Sequence, residues 1–284
     1  MQRDSFLLGL IGHGIRSSRT PALHEGEGDA NGVRVLYRTI DLQSLGLGVA
    51  ALPELLLAAE RMGFTGLNIT HPCKQAVIPL LDELSPDAAA LGAVNTVLLR
   101  DGRRRGENTD GPGFAEAFRA SMADVPKARV VLLGAGGAGA AVAQALLRQG
   151  VATLTIHDID PDRATGLAGR LNERFGADRA RYGGDLAASV ADADGLVHCT
   201  PTGMAGHPGL PLPARLLRPG LWVADIVYVP LETELLRAAR GLGCRTLDGS
   251  GMAVWQAAEA FRLFTGLTPD TARMFRHFHA MAGP

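Results

Sequence analysis

Val130-Val131-Leu132-Leu133-Gly134-Ala135-Gly136-Gly137-Ala138-Gly139-Ala140-Ala141-Val142 is the stretch whose reading decides the fold. Four apolar residues read as a buried strand. The glycine run follows, and alanine-rich helix-forming residues come after it. This is G-x-G-x-x-G between a strand and a helix, the context in which the motif binds a dinucleotide. Gly134, Gly136 and Gly139, with Gly137 and Ala138 between them, allow a tight turn and a close backbone approach to a pyrophosphate. The helix N-terminus then turns free N–H groups toward the phosphate charge. Asp158 stands 19 residues past Gly139, at the end of the next apolar segment. An acid there accepts hydrogen bonds from the ribose 2′-OH and repels a 2′-phosphate, so NAD is expected over NADP. Asp160 adds a second negative charge, while Arg163 is within reach of the adenosine or a phosphate. Val130 to Leu147 carries no charge, but its central glycines punctuate it as strand, turn and buried helix rather than a membrane span.

Outward from this motif, the second half of the chain reads as a βαβ series. Its strands are Val130–Leu133, Leu154–His157, Gly195–Cys199 and Leu221–Asp225, with helices at Ala138–Gln149 and Pro161–Phe175. Apolar strands flanked by helices imply a parallel sheet covered on both faces. The first half also alternates. Phe6–Ile11 reads as a strand followed by a glycine- and histidine-rich turn, and Pro53–Met62 as a helix that Gly63 ends. Leu67–Thr70 reads as a short strand, a helix starts at Lys74 after Pro72, and Ala93–Leu99 is a strand leading to an Asp101-Gly102 hairpin turn. Pro112–Met122 reads as a connecting helix. Met252–Phe264 and Pro269–Met281 are two helices with no new strand, so they must pack elsewhere, and return to the first domain is one solution.

The 284 residues allow about two domains. Glycine, at 36 residues, is about twice its usual ~7% share, in keeping with many tight turns. Lys and Arg total 28 against 29 Asp and Glu, and the longest basic run is Arg103-Arg104-Arg105. Binding to nucleic acid or an anionic membrane is therefore not expected. Cys73, Cys199 and Cys244 lie far apart and are odd in number, which fits a reducing, cytoplasmic setting. Met1-Gln2-Arg3-Asp4 places an acid before a short apolar run without a cleavage-like site, so no signal peptide is expected. His13, His24 and His71 match no zinc spacing, and no metal is expected.

Three polar clusters stand out: Asn68-Ile69-Thr70-His71-Pro72-Cys73-Lys74, Asn95-Thr96 and Asn108-Thr109-Asp110. A lysine serves as a general base when burial or a cationic field lowers its pKa, and a Lys and an Asp from separate elements can form a proton-relay pair. Together these segments resemble the shikimate dehydrogenase family over essentially the whole chain. Gly12 to Pro21 resembles its N-terminal substrate loop. Asn68 to Lys74 is similar to the segment that holds its catalytic lysine. Gly92 to Thr96, Asn108 to Asp110, Thr200 to Met204, Asp225 to Pro230 and Gly249 to Gln256 match further blocks.

The resemblance implies an α/β protein of two domains: an N-terminal α/β substrate domain and a Rossmann dinucleotide-binding domain, with C-terminal helices that return to the first. On that basis residues 1–111, completed by 250–284, form the substrate-binding catalytic domain, and 112–249 the NAD-binding domain. A cleft between them is the implied active site. Lys74 and Asp110 are the implied catalytic pair. Ser18 and Thr20 would hold a substrate carboxylate. Asn68, Thr70, Asn95, Tyr228 and Gln256 complete the substrate contacts. Thr200 and Pro201 would lie beside the nicotinamide, with Val227, Gly249 and Met252 also on the cofactor side.

Thr20 and Asp158 make the chain most like the NAD-preferring quinate/shikimate dehydrogenases, with hydride transfer at C3. Gly14, Cys73, Gly251 and Trp255 depart from residues common in the family and bear on which cyclitol acid is taken. The alternatives are an NADP-dependent biosynthetic enzyme, a dehydrogenase of amino-substituted analogues, and an NAD-binding sensor without turnover. The partner is expected to be a small cyclitol carboxylate, and the chain a monomer or homodimer.

Overall fold

The computed structural model describes residues 4–281. Met1–Arg3, on which the signal-peptide expectation falls, lie outside them. The chain divides into two compact units, one of residues up to Thr109 together with those from Val254 on, the other of Asp110–Ala253.

In the first unit β1 (Ser5–Gly12), α1 (Thr20–Ala30), β2 (Arg34–Asp41), α2 (Leu42–Leu45) and α3 (Leu52–Arg61) lead to β3 (Gly66–Ile69). Then come α4 (Cys73–Ala76), β4 (Glu83–Leu84), α5 (Pro86–Leu91), β5 (Thr96–Arg100) and β6 (Arg103–Glu107). The sheet order is β2-β1-β3-β5-β6-β4. It is mixed, because β3 and β5, and β5 and β6, run antiparallel. The turn between β5 and β6 is the expected Asp101-Gly102 pair, both at positive φ.

Apolar side chains fill both faces of this sheet. Leu52 and Leu56 of α3 pack with Leu67, Ile69 and Val97 on one side. Leu8, Leu10, Val35 and Tyr37 pack with Phe261 and Phe264 on the other. Each such side chain taken fully out of water contributes roughly 1.5–3 kcal/mol.

Three expectations need correction. The segment after β1 is more than a turn: α1 spans Thr20–Ala30. It was hidden because it buries Leu23, His24, Glu27 and Gly28 rather than an apolar stripe. The helix at Lys74 is one turn long, and Pro79 leaves only a 3₁₀ turn at Ile78–Leu80 beyond it. The strand expected from Ala93 starts at Thr96.

The second unit runs α6 (Asp110–Met122), β7 (Arg129–Leu133), α7 (Gly137–Arg148), β8 (Thr153–His157), α8 (Pro161–Phe175) and β9 (Ala180–Tyr182). It continues with α9 (Leu186–Ala191), β10 (Gly195–His198), β11 (Trp222–Asp225), α10 (Glu234–Gly241) and β12 (Thr246–Leu247). All its strand pairs are parallel, in the order β12-β11-β10-β7-β8-β9. The order reverses at β7. Chain direction therefore brings the C-terminal ends of β7, β8 and β10 together at a switch point, where open α/β sheets bind their ligands.

The last helices are α11 (Ser250–Thr265) and α12 (Thr271–Ala280). α11 passes into the first unit at Val254, and α12 lies wholly within it. Among the described residues no helix is long and apolar enough to cross a membrane.

Candidate active site

The glycine motif leaves β7 and opens α7. Gly134 has φ +101°, and a Cβ there would come within 2.9 Å of the Cys199 backbone. Only glycine lets the turn run so close to the end of β10. A Cβ at Gly139 would collide with the Gly134 carbonyl oxygen, so that glycine keeps α7 against the turn. Gly136 is different. It is the N-cap of α7, no side chain caps the helix, and the space around it is open. Gly137 and Ala138 form the first turn behind it, where backbone N–H groups have no intrahelical partner.

Asp158 follows β8 directly. Its Oδ2 accepts from the Ala135 N–H at 2.6 Å, and its Oδ1 from the Asp160 N–H at 2.9 Å. The carboxylate is thereby held beside the glycine turn, with a lone pair on each oxygen still to spend. Ile159 next to it is fully exposed. Arg163 is 3.2 Å from the Asp160 carboxylate. An uncapped helix N-terminus, glycines that permit close approach and a held carboxylate together fit a dinucleotide.

A buried polar cluster built on His198, which sequence reading missed, sits at the third strand end. His198 and Asp225, both buried, terminate β10 and β11 with Nδ1 and Oδ1 at 2.9 Å. His198 Nε2 is 2.5 Å from the Thr200 hydroxyl. Asp225 also accepts from the Val227 N–H at 3.0 Å and the Thr233 hydroxyl at 2.7 Å. The loop of Thr200 and Pro201 is thus tied to two strand ends and to the start of α10. Their place at the C-terminal ends of parallel strands was the signal available. Gly249 lies against the carbonyls of Ile226 and Val227, where a Cβ would be 2.5 Å from either oxygen. Met252 is buried in the first turn of α11, and Tyr228 is half-buried just past β11.

The first unit carries the other polar groups. The N-terminal loop turns at Gly14, φ +68°, whose N–H donates to Asp41 Oδ1 at 2.8 Å. Burial would raise the Asp41 pKa, but hydrogen bonds from Ser44, Gly14, Gln43 and Ile15 together hold it below the usual carboxylate value. At the end of this loop the Ser18 hydroxyl donates to Thr20 Oγ1 at 3.1 Å, which leaves the Thr20 hydrogen available. Thr70 lies just past β3 with its methyl over Gly12. Lys74 is half-buried in α4, and its carbonyl accepts from the Val94 N–H at 2.8 Å.

Asn68, Asn95 and Gln256 come together in one row. Asn68 Nδ2 donates to Thr96 Oγ1 at 3.1 Å, and Asn95 Nδ2 to Gln256 Oε1 at 3.2 Å. Asn95 Oδ1 also accepts from the Thr109 N–H at 2.8 Å. Asp110, 4% exposed, follows at once as the first residue of α6 in the second unit. The row extends to Tyr37, which sequence reading did not single out. Among the described residues no group of three His, Cys, Asp or Glu side chains is arranged to hold a metal ion.

Residues 10–97 match the family profile of the shikimate dehydrogenase substrate binding domain, and residues 249–274 that of the shikimate 5'-dehydrogenase C-terminal domain. The chain is 58% identical to a shikimate dehydrogenase (NADP(+)) of Streptomyces avermitilis, over 100% of this chain and 98% of that one. The chain belongs to the shikimate dehydrogenase family. As a member it is an oxidoreductase that acts on CH–OH groups.

A quinate/shikimate dehydrogenase (NAD(+)) of Corynebacterium efficiens is 52% identical over 96% of this family member and 98% of its own length. The quinate dehydrogenase of Corynebacterium glutamicum in complex with NAD superposes with a TM-score of 0.91, at 48% identity, covering 98% of this chain and 100% of that one.

Proposed function

We propose that the chain interconverts quinate with 3-dehydroquinate, and shikimate with 3-dehydroshikimate, using NAD. The observation that carries this reading is Asp158, a carboxylate held on the glycine turn where a ribose 2′-OH would be met. A 2′-phosphate there would face that charge, while the guanidinium of Arg163 is taken up by Asp160. The NADP(+) name of the Streptomyces avermitilis relative favours a second reading, in which the cofactor is NADP.

The residues divide the work as follows. Thr20, with Ser18 behind it, donates to the substrate carboxylate. Asn68, Thr70, Asn95, Tyr228 and Gln256 hold the ring hydroxyls and carboxylate in register. A site built to satisfy hydroxyls rejects analogues that lack them, since its own polar groups would be left unpaired. Lys74 takes the proton of the C3 hydroxyl, and Asp110 orients it. The O–H electrons become the new C=O bond as hydride leaves C3. When bound, the dinucleotide would supply the hydride acceptor, its nicotinamide. Gly134, Gly136, Gly137, Ala138 and Gly139 admit its pyrophosphate. Thr200, Pro201, Val227, Gly249 and Met252 line its nicotinamide side.

Absorbance at 340 nm tests the reading in four combinations, quinate or shikimate with NAD or NADP. Turnover of both acids with preference for NAD is expected. Lys74→Ala then lowers kcat by ~10²–10⁴-fold, the usual weight of general acid–base catalysis. Turnover of shikimate with NADP alone would transfer the chain to the second reading. A wild type silent in all four combinations would defeat both.

A further inference from the structure

The polar row of the first unit has a direction. Tyr37 is buried in β2, and its hydroxyl lies 2.7 Å from Asn68 Oδ1. An amide oxygen carries no proton, so the phenol donates. Burial pushes the Tyr37 pKa well above its ordinary value, and the phenol keeps that proton. With Oδ1 turned to Tyr37, Asn68 Nδ2 faces the Asn95 carbonyl at 3.3 Å and Thr96 Oγ1 at 3.1 Å. Both of its hydrogens are then spent. Thr96 has accepted from Asn68 and gives its own hydrogen to Asn95 Oδ1 at 3.0 Å. Asn95 Nδ2 in turn donates to Thr109 Oγ1 at 2.9 Å and Gln256 Oε1 at 3.2 Å. The Thr109 backbone N–H, donating to Asn95 Oδ1 at 2.8 Å, holds Asn95 the same way round, so the row is oriented from both ends. His24 packs on the same phenol, ring centroids 5.0 Å apart, and its own Nδ1–H goes to the Thr20 carbonyl at 3.0 Å.

We propose that Tyr37 is a positioning residue that sets the donor–acceptor polarity of this row at Asn68. Asn68 then meets a ligand with one acceptor lone pair on Oδ1, and Gln256 meets it with its amide hydrogens. The inference rests on the substrate reading above and deepens it. Of the cyclitol acid's oxygens, the one at Asn68 must bring a hydrogen, and the one at Gln256 must bring a lone pair. A substrate hydroxyl replaced by an ether is tolerated opposite Gln256 and rejected opposite Asn68.

Tyr37→Phe keeps the ring and removes the donor. The KM for the cyclitol acid should rise about tenfold, within the usual cost of a buried acceptor left unpaired. The KM for the dinucleotide should stay unchanged, and kcat should change less than the acid KM. In an Asn68→Ala background the same substitution should do nothing further, since the group it positions is gone. An unchanged acid KM, or an equal rise in both backgrounds, would overturn the proposal.

Side-chain amide exchange, read by NMR on the Asn68 NH₂ pair, gives a measurement that needs no turnover. It should speed up in Tyr37→Phe. If the wild type turns over no acid, the substrate reading fails, and an unaltered exchange rate then defeats the positioning role as well. Should Tyr37→Phe not fold, Thr96→Val cuts the row one step later and must raise the acid KM with Tyr37 in place. An unchanged KM there overturns the proposal.

Discussion

His24 shows how a residue's charge state follows from where the chain buries it. The ring is fully enclosed beside Tyr37, Phe261 and Phe264. Desolvation drives its pKa from 6.5 to about 4, against the raising effect of the Thr20 carbonyl. The folded state therefore binds fewer protons than the unfolded one between these values. Stability from this group is complete above pH 6.5 and is lost as pH falls toward 4. From pH 7 to pH 5 the loss amounts to about 2 kcal/mol. Urea unfolding at the two pH values should show His24→Leu losing that much less than the wild type. An equal loss in both proteins would remove His24 as the cause.

In the sequence His24 is one of eight histidines, and only its spacing to His13 and His71 is legible there. Its enclosure is not, because it depends on Tyr37 of β2 lying against the ring, which the residues around His24 do not signal. The alternation of Val35 and Tyr37 with Arg34, Leu36 and Arg38 was present, but it took the observed sheet to show which face it served. Tyr37 is hidden in the same way, and with it the residue that orients Asn68 in the polar row.

At the level of elements, the glycine turn and its flanking strands were legible almost residue for residue. A βαβ unit is made of short-range signals: an apolar run, a glycine motif, an acid one strand later. Helix α1 was illegible for the opposite reason. Gly28 lies against Val35 and Gly26 against His277, so the helix packs through small residues and a buried histidine that carry no apolar period.

Within the turn, two glycines serve different ends, and substitution separates them. A Cβ at Gly139 meets backbone, which cannot give way. Gly139→Ala should lower the melting temperature and weaken dinucleotide binding together. Gly136 has φ −72° and open space around it, so alanine is free of strain there. Gly136→Ala should melt like the wild type while binding NADH at least several-fold more weakly, because its methyl stands where a pyrophosphate would approach. Thermal melts with and without NADH, and NADH fluorescence titration, read both. Undiminished NADH binding by Gly136→Ala would place the phosphates elsewhere.

At the scale of the molecule, the first unit is completed only by the last residues of the chain. The sequence showed two helices with no strand to extend, and their return to the first unit could be argued only by elimination and by resemblance. Besides the apolar packing of Phe261 and Phe264, a long-range polar contact fastens them, and hydrophobic periodicity does not register it. Glu27 of α1, 1% exposed, accepts from the Asp270 N–H at 2.7 Å and from Arg273 Nη2 and Nε at 2.6 and 2.9 Å, across 246 residues for Arg273. Asn31 Nδ2 adds a fourth hydrogen bond at 2.9 Å.

The two partners are not equivalent, because the Arg273 side chain is 36% exposed. Water reaches the guanidinium if Glu27 is neutralised, and Glu27→Gln should cost only about 1–2 kcal/mol, between a surface pair and a buried one. Arg273→Met instead leaves a carboxylate enclosed without its cation, and the cost should approach the ~3–5 kcal/mol of a broken buried pair. Urea unfolding ranks the two. Equal costs would mean that the carboxylate escapes to solvent when the arginine is gone. The C-terminal helices would then be held by the packing of Phe278, Phe261 and Phe264 rather than by this ion pair.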